Sequence, residues 1–120
     1  MATLTRAMDI AEMRRVVAGL EDEVMNGGFN QYFFNSAGDD AVAALDALAL
    51  IGASATRALL VEACSRFPEG APSRERFVRQ DELDALDPDV EVFEQLDNAF
   101  FAYPDDLDSL LEAYERRGGR

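Results

Sequence analysis

Apolar residues recur along this chain at helical rather than strand spacing. Ile10, Met13, Val17, Leu20 and Val24 fall three or four residues apart and form one stripe of a helix from about Asp9 to Met25. Asp9 with Glu12 three residues later has the form of a capping box. Asn26-Gly27-Gly28 ends that helix, because glycine accepts a left-handed cap conformation cheaply. A short helix from Phe29 to about Ser36 follows, stopped by Gly38. Asp39 is the expected cap of the next helix, which runs to about Ile51 and buries Val42, Leu45, Leu48 and Ala49. Gly52 closes it, and Ser54 is the expected cap of a helix over 55–67 with Leu60, Cys64 and Phe67 on its inner face. Pro68, Gly70 and Pro72 mark "FPEGAPSRER" as a long loop, with a short helical turn around 81–86 beyond it. Asp87-Pro88 reads as an N-cap and first residue of a helix to about Phe101 that buries Val90, Phe93, Leu96 and Phe100. Pro104 opens the last helix, whose inner face is Leu107, Leu110, Leu111 and Tyr114, and Gly118-Gly119 end it. No segment alternates as a strand would. The pattern predicts an all-α fold, a compact single-domain bundle of about six to seven helices over residues 9–117, with tails at 1–8 and 118–120.

Composition narrows the chemistry. The chain has 120 residues, 48% of them hydrophobic, enough for one domain with a real core. There is no histidine, so the commonest general base and transition-metal ligand is missing. All 11 basic side chains are arginine, which removes lysine Schiff-base chemistry and the phosphate-binding lysine of a P-loop. The single cysteine, Cys64, allows no internal disulfide. No apolar run is long enough to span a membrane, and the charged start "MATLTRAMDIAEM" lacks the apolar core of a signal peptide. These features predict a soluble cytoplasmic protein without enzymatic activity, cofactor or metal. The segment "DELDALDPDVE" lacks the glycine and ligand spacing of an EF-hand loop.

Charge supplies the strongest functional signal. The formal net charge is −13. Residues 1–79 hold 11 acids against 8 arginines, whereas residues 80–120 hold 13 acids against 3, and no basic residue falls between Gln80 and Glu115. Such a surface repels nucleic acid and anionic membrane and attracts basic proteins. Asp105, Asp108, Glu112 and Glu115 share one helix face by their spacing, and Asp87, Glu91 and Glu94 share another. Carboxylates spaced in this way lie about 5–6 Å apart, comparable with the phosphates of a DNA strand. Two such helices side by side would present two acidic rows resembling a duplex backbone. These seven acids are the candidate partner-binding residues. A solvated acidic face without a partner is the plainer alternative.

The stretch "MNGGFNQYFFNSAG" places three glycines, four aromatics and four side-chain amides together. Phe29, Tyr32 and Phe33 share a helix face and form an aromatic plug. Asn30, Gln31, Tyr32 and Asn35 could instead line a small-ligand pocket. The longer stretch, with Glu23, Asn26, Gly27, Gly28, Phe29, Gln31, Tyr32, Phe33, Asn35 and Gly38, resembles the signature of a bacterial family of domains first labelled as of unknown function. The likeness continues through "AVAALDALALIGA", "FPEGAP" and "LDNAFFAYPDDLDSLLEAYERR" and covers Ala11 to Arg117. That family includes an acidic, helical DNA mimic, which occupies the DNA-binding surface of a bacterial transcription regulator. The resemblance implies an all-α fold, signature residues that determine the fold, and a basic protein such as a DNA-binding regulator or nucleoid protein as partner. An immunity- or antitoxin-like inhibitor of a basic nuclease fits the acidity equally well. The sequence leaves oligomeric state open, a homodimer included. Arginines between Arg66 and Arg79 would interrupt a phosphate-like surface if they lay beside the acidic helices.

Overall fold

Gly27 and Gly28 bend the longest element of the protein. The structure, a computed structural model, describes residues 8–118. Its first helix, α1 (Ile10–Phe34), consists of two helical arms joined at the glycines, where helical geometry is lost, with φ −152° at Gly27 and φ +78° at Gly28. The expected helix stop is therefore a kink, and the expected second helix is the second arm of α1, ending at Phe34 rather than Ser36. Asp9 caps the first arm as expected, accepting from the Glu12 amide at 2.7 Å.

A 3-10 turn (Ser36–Asp40) leads into α2 (Ala41–Ile51), followed by α3 (Ser54–Ser65), a 3-10 turn at Pro68–Gly70, α4 (Arg76–Leu86), α5 (Glu94–Phe101) and α6 (Leu107–Arg116). No strand occurs among the described residues. Among the described residues the fold is all-α, with six helices in one compact domain, as expected. α1 runs through the centre and packs on α2, α4, α5 and α6. The aromatic plug lies where its second arm meets the C-terminal half. Phe29, Phe33, Phe67, Phe93 and Phe100 are buried together, with Phe33 and Phe67 centroids 4.8 Å apart and Phe29 edge-on to Phe100 at 5.7 Å.

Several expected details are corrected. Asp39 does not cap α2, because the 3-10 turn shifts the helix start to Ala41. The inward stripe then runs through Ala41, Ala44, Leu48 and Ile51, leaving Val42 and Ala49 exposed. The turn expected at 81–86 is the end of a full helix from Arg76. Asp87 does not start a helix. Its carboxylate accepts from the Glu91 and Val92 amides at 2.7 and 2.8 Å and closes a turn instead. Val90 enters the left-handed region at φ +54° and is 65% exposed rather than buried. α5 consequently begins at Glu94, with Phe93 and Phe100 buried. Met8 is buried in the core, so the expected N-terminal tail does not extend to it. Residues 1–7 and 119–120, the rest of the two expected tails, lie outside the described residues.

Candidate functional site

The polar residues around the kink hold its two arms together. Glu23, on the first arm, accepts from Gln31 Nε2 at 2.8 Å and from Asn35 Nδ2 at 3.0 Å, both beyond the kink. Asn26 donates to Gln31 Oε1 at 3.2 Å. A Cβ on Gly27 would collide with that same amide oxygen, so glycine is what lets Gln31 fold back. The second arm begins with an uncapped amide at Phe29, and Asp97 of α5 supplies the acceptor at 2.8 Å. A Cβ on Gly28 would sit 2.5 Å from the Asp97 carboxylate. Burial raises the pKa of Asp97, the Phe29 amide opposes this, and nearby Asp87 and Glu94 raise it further. Asn30 donates to Asp87 at 2.8 Å. Three amides that could have lined a ligand pocket are thus bound to carboxylates, and Tyr32 is buried with its hydroxyl lacking a hydrogen-bond partner. The described clefts of about 300–370 Å³ are lined by other residues.

Arg79 is a second organising residue, unforeseen from the sequence because an isolated arginine in a charged helix carries no local mark of burial. It is 0% exposed. Its Nε donates to the Phe33 carbonyl at 2.6 Å, its Nη2 to the Asn35 carbonyl and Asp39 Oδ1, and its Nη1 to the Ser73 carbonyl. The guanidinium thus joins the end of α1, the 3-10 turn and the loop before α4. Gly38 makes room, since a Cβ there would lie 2.6 Å from the Tyr32 carbonyl and 2.9 Å from Arg79 Nε. Partial burial opposes charge on Asp39, but donation from Arg76 and Arg79 outweighs it and holds this carboxyl below its ordinary pKa.

The seven candidate acids separate into three groups. Asp87 is only 3% exposed and occupied by Asn30 and two backbone amides. Asp105 accepts the Thr56 amide and hydroxyl at 2.7 and 2.8 Å, capping α3 from across the fold where Ser54 had been expected to do so. Both are turned to structural work and drop out of the exposed rows. Glu112 lies 3.8 Å from Arg116, and Glu115 pairs with Arg14 of α1 at 2.8 Å. Glu91, Glu94 and Asp108 remain exposed. Glu94 and Asp108 stand in the first turns of α5 and α6, where the helix dipole favours negative charge.

The two rows are not side by side. α5 packs on α1 and α3, whereas α6 packs on α1 and α2. What α6 meets is the first arm of α1, so Glu21 and Asp22 join Asp108 around one cleft, with Arg14 at its edge. Burial raises the Glu21 pKa, a bond from the Tyr103 hydroxyl partly offsets this, and Asp108, Asp22 and Asp106 add to the rise. Sequence spacing along single helices could not reveal this cross-helix cluster. Arg66 does approach the other acidic segment, donating to the Val92 carbonyl at 2.6 Å. Arg76 and Arg79 are instead tied to Asp39.

No group of histidine, cysteine, aspartate or glutamate arranged to hold a metal occurs among the described residues, and none of their helices is long and apolar enough to cross a membrane. Residues 13–118 match the family model of the DMP19-like proteins. No curated protein and no solved structure matches the chain significantly. The family match covers nearly the whole domain, and the chain belongs to the DMP19-like family.

Proposed function

We propose that this DMP19-like protein is a non-enzymatic acidic competitor of DNA, binding the basic surface of a DNA-binding regulator or nucleoid protein. The observation that supports the reading is the gathering of Glu21, Asp22 and Asp108 around one cleft at the junction of α1 and α6, where burial, and after it the neighbouring carboxylates, raise the Glu21 pKa. Like charges held together at an exposed cleft raise the energy of the free protein, and a cationic partner relieves it. Exposed Glu91, Glu94 and Glu112 extend the negative potential over the C-terminal half. The family resemblance, which includes a DNA mimic, supports the same partner class.

The test uses immobilised duplex DNA loaded at low salt with proteins of a native lysate. Added wild-type protein should release a basic DNA-bound protein, and the release should fade as salt screens the contact. The variant Asp22→Asn/Asp108→Asn/Glu112→Gln should release it poorly while folding normally. Undiminished release by that variant would sink the assignment, as would no release by the wild type.

A further inference from the structure

Two exposed aromatics stand on the seam between α1 and α4. Phe77, near the start of α4, is 77% exposed, and Phe34, the last residue of α1, is 45% exposed. α4 runs along the second arm of α1 and is tied to it at both ends. Gln80 donates to the Phe34 carbonyl at 2.7 Å, and Asp87 accepts from Asn30 at 2.8 Å. Phe77, Gln80 and Asp84 recur at spacings of three and four, so they follow one line on α4 beside this seam, while Asp87 lies just past the helix and is buried. Asp81, four residues from Phe77, flanks the line, and both Asp81 and Asp84 are exposed. Arg79 faces the opposite way, into the core, and Arg76 is engaged by Asp39. The outward face of α4 therefore reads aromatic at one end and acidic beyond it.

We propose that this seam docks a cationic amphipathic helix of a partner protein, with Phe34 and Phe77 taking its apolar face and Asp81 and Asp84 its basic residues. The inference rests on the basic-partner reading and adds to it an apolar anchor away from the α1–α6 cleft. Charge complementarity selects this occupant over a second copy of the chain. Self-association would bring two sets of Asp81 and Asp84, on molecules of net charge −13 each, into one interface. Exposed phenylalanines bordered by charge are typical of the anchor positions of such contacts.

The experiment measures anisotropy of two labelled helical peptides of about 18 residues, one with a leucine face opposite an arginine face, the other with serine replacing every leucine. The leucine peptide should bind wild-type protein about tenfold or more tightly than the serine peptide. Phe34→Ser/Phe77→Ser should abolish that advantage and leave the serine peptide unaffected. Asp81→Asn/Asp84→Asn should weaken the leucine peptide. Circular dichroism should show both variants folded, since all four side chains are exposed. Equal binding of the two peptides, or a leucine advantage retained by the phenylalanine variant, overturns the proposal while leaving the basic-partner reading standing. Absence of binding by either peptide at low salt overturns both. A wild-type dimer in sedimentation that Phe34→Ser/Phe77→Ser converts to monomer assigns the face to a second copy and also overturns it.

Discussion

Gly28 meets two demands that only glycine satisfies together. It holds φ at +78°, and it lets the Asp97 carboxylate reach the Phe29 amide. Gly28→Ala should therefore cost at least about 2 kcal/mol, since a positive φ with ψ at −178° is open essentially to glycine and costs on the order of 1–3 kcal/mol for other residues. A shift in urea midpoint at unchanged slope would register it. Arg79 carries a larger consequence. Arg79→Leu leaves the Phe33, Asn35 and Ser73 carbonyls without their donor and Asp39 with Arg76 alone, and should cost about 3 kcal/mol or more, at roughly 1–3 kcal/mol for each buried group left unpaired. Arg79→Lys should not restore the loss, because an ammonium cannot span the partners that the planar fork reaches. Cys64 is buried, which pushes its thiol up to about 12. Thiol reagents should modify it only as fast as the protein unfolds, and rapid labelling of native protein would contradict this. At this scale the sequence was legible where a residue type has one physical use. Paired glycines imply a bend and clustered aromatics a plug. Arg79 is held by the Phe33 and Asn35 carbonyls more than forty residues away as well as by Ser73 nearby, so its burial is a tertiary outcome that its neighbours in sequence do not announce.

Elements were legible by their apolar stripes and less so by their ends. The expected α5 began six residues early because Asp-Pro is a good local start signal, yet Asp87 is drawn inward by Asn30 and by its own turn. α3 shows the same lesson in reverse. Ser54 stood ready at its start, but Asp105 from the segment before α6 provides the cap. Asp105→Ala should lower stability by about 1 kcal/mol and speed amide exchange in the first turn of α3. The first turn of α6 should stay protected, because Asp106 caps it independently. Exchange accelerated only in α6 would refute that division. The candidate acidic surface was legible in total but not in arrangement. Its rows hold only in part, because Asp87 and Glu91 precede α5, Asp105 precedes α6, and Asp87 and Asp105 are turned to internal partners. The choice of neighbouring helices, which brings Glu21 and Asp22 to Asp108, is likewise a tertiary outcome.

Across the whole molecule the dominant quantity is the charge of −13. Glu21 and Asp97 have raised pKa values, so each opposes folding at neutral pH and ceases to do so as pH falls through its folded value toward its unfolded one. Asp39 has a lowered pKa, so its contribution is present above its unfolded value and is lost as pH falls through the folded one. Thermal stability should therefore rise as pH falls from neutrality through the raised pKa values of Glu21 and Asp97, and fall again at lower pH through the lowered pKa of Asp39. A monotonic decline on acidification would show that paired carboxylates outweigh the repelled ones. The carboxylates that cap distant helices also bear on how the chain is made. Synthesis delivers residues from the N-terminus, so a ribosome that has released only residues up to 86 has exposed the amides of Phe29 and Thr56 without Asp97 or Asp105. The second arm of α1 and α3 both lack their caps at that stage, and the core lacks Phe93, Phe100, Leu107 and Leu111. The domain has to wait for its acidic last third before it can set, and a nascent chain or proteolytic fragment ending there should remain open to chaperones and proteases.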